Sequence, residues 1–108
     1  MKKEKREELY QKAIEKWGVV SQIEMLNEES IELALAVRKF LRKYNKLNET
    51  SPDVNSKILD EEVLNLIEEM VDVEIMMEQL CYIYPSFKNQ IQEVKDFKLQ
   101  RLEKRINK

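Results

Sequence analysis

Apolar and polar positions alternate at helical spacing along almost the whole of this chain. The pattern predicts a first helix over about 3–16, with Leu9, Ala13, Ile14 and Trp17 on its buried side and Gly18 as its stop, since glycine readily adopts the backbone conformation that ends a helix. Ser21 followed by Glu24 reads as a capping box that opens a second helix running to about Tyr44. Its core stripe is Ile23, Leu26, Leu33, Val37, Leu41 and Tyr44. Turn-forming residues dominate from Asn45 to Ser56, including Asn48, Thr50, Pro52, Asp53 and Asn55, so about 45–56 is predicted to be a connecting loop. A third helix starts near 58–60 and reaches about Tyr84, burying Val63, Leu66, Met70, Val73, Met77, Leu80 and Tyr84. Pro85 interrupts it by removing a backbone donor and crowding the preceding turn. A last helix over about 86–106 carries Phe87, Ile91, Val94, Leu99, Leu102 and Ile106.

Composition sharpens this to a single all-α domain over 1–108, because one Gly and two Pro leave little to break helices. The expected architecture is a four-helix bundle with two long central antiparallel helices. A chain of this size buries a modest core, and its helices are apolar over wide arcs, as with Ile31 and Leu35 opposite the main stripe of the second helix. Self-association into a homodimer or homotetramer is therefore expected. The net charge of −2 gives no field for a nucleic-acid polymer. The locally basic ends, Lys2, Lys3, Lys5 and Arg6 at one and Arg101, Lys104, Arg105 and Lys108 at the other, read as solvated faces. No apolar run has spanning length and none follows the N-terminal lysines, so neither a membrane helix nor a signal peptide is expected. The lone Cys81 excludes an internal disulfide and suggests a reducing, cytoplasmic compartment.

The chemistry lies in two acidic pairs, Glu29 with Glu32 and Glu69 with Asp72. Residues three apart on a helix share a face, so each pair can aim two carboxylates at one point. In a chain with 37% charged residues, one such pair can arise by chance on a solvated face. Here both fall mid-helix on the two longest helices, on strips shared with Met25 and Ala36 and with Asn65 and Met76. Packed antiparallel, the strips face each other across a groove, and carboxylates gathered there call for a divalent cation, magnesium or manganese. The absence of His removes the competing di-iron type of bundle site. Glu74 falls among Val63, Ile67, Met70 and Cys81 on the apolar side of the third helix, so it is expected to pair with a Lys or Arg of the last helix or of a neighbouring chain. The methionines, including Met25, Met70, Met76 and Met77, read as adaptable core filler.

The segments Glu28-Glu29-Ser30-Ile31-Glu32 and Glu69-Met70-Val71-Asp72 resemble the EExxE and ExxD motifs of MazG-like nucleotide pyrophosphohydrolases. Trp17-Gly18 with Gln22 before the first motif, and the run from Glu68 to Leu80 around the second, are similar to small single-domain members of phage and prophage type. Lys98-Leu99-Gln100-Arg101 resembles the Lys-apolar-x-Arg stretch of the family's last helix, and the likeness covers about residues 15–106. The stretch between Glu32 and Glu69 is longer than the family's usual gap, an excess that falls to the 45–56 loop.

The resemblance implies a MazG-like bundle and a hydrolase of nucleotide metabolism. Its reaction would be magnesium-dependent cleavage of a nucleoside triphosphate to monophosphate and pyrophosphate, with a pool-cleaning role. It places the metal on Glu29, Glu32, Glu69 and Asp72, and relatives assemble as dimers or tetramers. Glu28 is a candidate for orienting or deprotonating the attacking water, or is a surface glutamate. Lys98 and Arg101 hold the outer phosphates, or form a solvated face or salt bridges. Trp17 stacks on a base, or belongs to the core; Gln22 hydrogen-bonds a base, or sits exposed. Two other readings stay open: a non-catalytic helical binding or regulatory module, and a family member that binds nucleotide without cleaving it.

Overall fold

A computed structural model describes residues 1–45 and 61–108 of the chain. Among these the protein is all-helical, with α1 Lys3–Trp17, α2 Val19–Asn45, α3 Glu61–Ile83 and α4 Ser86–Ile106. None of these helices is long and apolar enough to cross a membrane. The loop expected over 45–56, apart from Asn45, and the start of the third helix near 58–60 lie outside the described residues.

The joint between α1 and α2 is tighter than the sequence pattern suggests. Gly18 takes φ 86°, a region costly for a residue with a Cβ, and its N–H donates to the Ile14 carbonyl at 2.8 Å. α2 then starts at once at Val19, the Gln22 N–H donating to the Gly18 carbonyl at 3.2 Å. The expected capping box is therefore not used: Ser21 is an exposed residue inside the first turns.

The central element is the α2–α3 pair, the most extensive packing in the molecule. Lys43 Nζ lies 2.9 Å from Glu62 Oε2 at one end, and Gln22 borders Gln79 at the other, so the two helices run antiparallel. The face that α2 turns inward is Gln22, Leu26, Glu29, Leu33, Ala36 and Phe40, alternating spacings of four and three. That stripe is rotated from the expected one. Leu26 and Leu33 are common to both, but Ile23, Val37 and Leu41 are 37%, 38% and 42% exposed, while Ala36 is buried. On α3 the inward residues are Leu66, Glu69, Val73, Met76, Gln79 and Leu80, whereas Met70 and Met77, expected to be core filler, are about half exposed. Glu74 points outward with them and forms no ion pair among the described residues, so its expected pairing is not seen. In both helices the seam is mixed, with polar side chains (Gln22, Glu29, Glu69, Gln79) set between apolar ones.

α1 is fixed to α3 by a polar cluster. Arg6 Nε donates to Glu78 Oε1 at 2.6 Å, the Tyr10 hydroxyl donates to the same oxygen at 3.0 Å, and the Tyr82 hydroxyl donates to Gln11 Oε1 at 2.7 Å. Tyr10, absent from the expected core, is 8% exposed, while Trp17 and Leu9, expected inside, are 58% and 43% exposed. Burial first, then the bond to Glu78, pushes the Tyr10 phenol from 10.0 up to about 12. The Arg6 hydrogen bond, against the opposing effect of burial, holds the Glu78 carboxyl below its ordinary value.

The signs give a stability window. The neutral Tyr10 phenol contributes fully below its unfolded value near pH 10, and that contribution is lost as pH rises toward 12. The Glu78 contribution is present above the unfolded carboxylate value of about 4.3 and is lost as pH falls through its lower folded value. Because the Glu78 side chain is 41% exposed, solvent screening keeps the energies small. Tyr10→Phe is expected to cost about 1 kcal/mol, a fall of about 4–8 °C in Tm at neutral pH, shrinking between pH 10 and 12. Thermal melts across that range check it.

At the other end Tyr84 stacks on Phe87, ring centroids 5.0 Å apart, across the turn at Pro85. Among the described residues, α3 is the only helix whose backbone α4 approaches. Every residue of α4 from Lys88 onward is exposed, including Ile91, Val94, Leu99, Leu102 and Ile106. Among the described residues, no other element covers this apolar face of α4.

Candidate metal centre

The inward stripes set the site. Glu29 on α2 and Glu69 on α3 occupy seam positions, and Asp72, one turn beyond Glu69, lies at the seam's exposed edge. One carboxylate oxygen from each of Glu29, Glu69 and Asp72 lies within 4.8 Å of the others. Glu69 and Asp72 converge because they are three apart on one helix, and Glu29 meets them because α2 and α3 run antiparallel in this register.

The electrostatics are those of an uncompensated anion cluster. Burial raises the Glu29 carboxyl above its ordinary value, and the charges of Asp72, Glu69 and Glu32, with a hydrogen bond to Asp72, add to the rise. Among the described residues none of these four carboxylates enters an ion pair. Glu69 Oε2 is sealed from solvent and has no hydrogen-bond partner. A buried carboxylate oxygen without a partner costs on the order of 1–3 kcal/mol or more, so it needs a stabilising counterpart.

The donor set suits a hard divalent cation. Three carboxylates without His or Cys offer only oxygen, which matches magnesium or manganese and not zinc or copper. The sealed Glu69 oxygen fits the same ion, since a cation seated on the cluster would satisfy it.

The other sequence-picked residues are distributed unevenly. Glu32 is exposed and outside the converging set, although its charge is felt at Glu29. Glu28 is exposed, one residue from the cluster and turned away by ~100°. Ser30 donates its hydroxyl to the Leu26 carbonyl at 2.7 Å, so it is tied to its own helix. Lys98 and Arg101 are exposed on α4, the Arg101 guanidinium 6.0 Å from the Phe97 ring, and among the described residues neither forms an ion pair with the acids. Trp17 is exposed, with Lys16 Nζ 5.2 Å from its ring centroid. Gln22 is 8% exposed, not a solvated residue.

Gln79 was not singled out by the sequence, yet it is the most deeply enclosed large side chain, 2% exposed, with Nε2 lacking a hydrogen-bond partner. Its signal was its spacing: seven residues beyond Asp72, it returns to the same face of α3 after two turns. Compared with known proteins, the chain matches no family model, no curated protein and no solved structure.

Proposed function

We propose that the chain is a magnesium- or manganese-dependent nucleoside triphosphate pyrophosphohydrolase of MazG-like type, releasing pyrophosphate and a nucleoside monophosphate. The observation that carries this reading is the convergence of one carboxylate oxygen each from Glu29, Glu69 and Asp72 within 4.8 Å, in a cluster whose Glu69 also holds an oxygen, Oε2, sealed from solvent and without a hydrogen-bond partner. In it, Glu29, Glu69 and Asp72 hold the cation, and Glu32, one turn along α2, is the fourth carboxylate. The bound cation would supply charge neutralisation on the phosphate oxygens and a more acidic water. Glu28, solvent-facing beside the cluster, is the group assigned to orient the attacking water and take its proton at a carboxylate oxygen.

Lys98 and Arg101 are assigned to the outer phosphates, as charge-assisted donors. Their place on α4 ties this role to assembly: a homodimer or homotetramer that covers the α4 apolar face would bring the cations toward a neighbouring groove. Trp17 and Gln22 are assigned to the nucleoside end, and a reducing compartment fits the free Cys81. A second reading, a member that binds nucleotide without cleaving it, is favoured by one observation: among the described residues neither Lys98 nor Arg101 forms an ion pair with the acids.

The test is to incubate the protein with each deoxynucleoside and ribonucleoside triphosphate and magnesium and to measure pyrophosphate. Release from at least one nucleotide, abolished by chelation, is expected. A magnesium-dependent rise in Tm with a non-hydrolysable triphosphate but no pyrophosphate would select the binding-only reading, and neither would leave a helical module.

A further inference from the structure

The α2–α3 seam carries a second polar layer two turns, ~10 Å, from the carboxylates. Gln79 faces Gln22 there, seven residues beyond Asp72 and seven before Glu29 respectively, so antiparallel packing places both amides at one end of the groove that holds the acids. Ile23, Leu26, Met76 and Leu80 wall the narrow cleft between them, which has no room for a water molecule. The Gln79 amide is therefore shut off from solvent as well as from protein acceptors.

We propose that Gln79, with Gln22, determines base specificity by hydrogen-bonding the carbonyl-bearing edge of a pyrimidine. This rests on the pyrophosphohydrolase reading and extends it to the substrate's base. An orphaned N–H donor needs an acceptor, which an exocyclic carbonyl supplies. Two amides side by side present donors and acceptors together, and so match an edge where C=O and N–H adjoin. Apolar walls suit the faces of a flat ring, and a cleft this narrow opens for one ring with less displacement than for two. The ~10 Å offset from the carboxylates is spanned by a ribose and its first phosphates. A site built to hydrogen-bond a polar edge rejects ligands lacking it more sharply than an apolar pocket does.

The experiment compares kcat/KM for dTTP, dCTP, dATP and dGTP between the parent and Gln79→Leu, with magnesium present. It also follows the side-chain amide resonances of Gln22 and Gln79 while thymidine, without metal, is added to the parent. Expected are a preference for the pyrimidines, a loss of at least ~10-fold for them in Gln79→Leu carried by KM, and little change for dATP. Thymidine is expected to shift both amide resonances. An equal loss on all four nucleotides, or unmoved amide resonances at millimolar thymidine, overturns the proposal. If no nucleotide is cleaved, the hydrolase reading fails, and the thymidine titration still decides the base site. If Gln79→Leu does not fold, Gln22→Leu and the same titration decide it.

Discussion

Glu69→Gln is expected to abolish pyrophosphate release while leaving the metal-free protein at least as stable as its parent. The side chain keeps its shape, so the α2–α3 seam has nothing to repack. What changes is charge: one of three converging carboxylates is neutralised, and the repulsion that helps raise Glu29 falls. The sealed oxygen without a partner gives way to an amide that can also donate to a neighbouring carboxylate. Against this small gain stands the loss of an anionic ligand. Metal-ion stabilisation of a phosphoryl transition state is worth several kcal/mol, so a fall of at least ~100-fold in turnover is expected. The rise in Tm that magnesium gives the parent should vanish in the variant. A merely structural glutamate would show neither the loss of activity nor the loss of metal response, and turnover surviving in Glu69→Gln would place the catalytic metal elsewhere.

Val94→Glu is expected to have the second largest effect, on assembly. Val94 is 53% exposed in the isolated chain, midway along an α4 face that includes Ile91 and Leu102, and among the described residues the helix meets no other backbone but that of α3. An apolar stripe left open over so many turns is the kind of patch that a soluble monomer rarely keeps. A carboxylate set there costs almost nothing in the monomer, because the site is already wet. In an interface the same carboxylate is buried without a partner, at a cost of several kcal/mol, enough to weaken association at least ~100-fold. Size-exclusion chromatography at micromolar concentration should show the parent as an oligomer and Val94→Glu shifted to the 13.0 kDa monomer. A parent that already runs as a monomer would remove the assembly proposal and, with it, the route by which Lys98 and Arg101 approach the acids.

The helices were legible in the sequence because their signals are local: spacing of apolar residues, Gly18 and Pro85 as stops, and turn residues after α2. Which arc of each helix turns inward was less so. Hydrophobicity pointed correctly to Leu26, Leu33, Leu66, Val73 and Leu80, but also to Ile23, Val37, Met70 and Met77, whose places in the seam are taken by Gln22, Glu29, Ala36, Glu69 and Gln79. A pattern of apolar residues cannot show polar side chains in a seam, and it cannot divide the apolar arcs of a helix between its own bundle and a second surface. Glu74 illustrates the second difficulty, since of the residues that looked like core around it Val63 is buried and Cys81 half-buried, while Ile67, Met70 and Glu74 itself face outward. Tyr10 shows a third, for its burial depends on Arg6 and Glu78 meeting across two helices far apart in sequence.

The acidic pairs were visible because i and i+3 share a face whatever else the helix does. Convergence of Glu29 with Glu69 and Asp72 needed only the antiparallel pairing of two long helices. The orientation of Glu32 needed the actual rotation of α2, which leaves that side chain outside the closely converging set. The spacing of seven from Asp72 places Gln79 on the seam face only once the rotation of α3 is known, because a lone glutamine beside Glu78 otherwise reads as surface.

The most direct measurement of the metal centre is a titration with manganese, reading paramagnetic broadening of backbone amide resonances residue by residue. Broadening centred on Glu29, Glu69 and Asp72, and falling away along α2 and α3 in both directions, is expected at substoichiometric metal. Broadening spread over the surface glutamates of α1 and α4, with the α2–α3 seam left sharp, would contradict it.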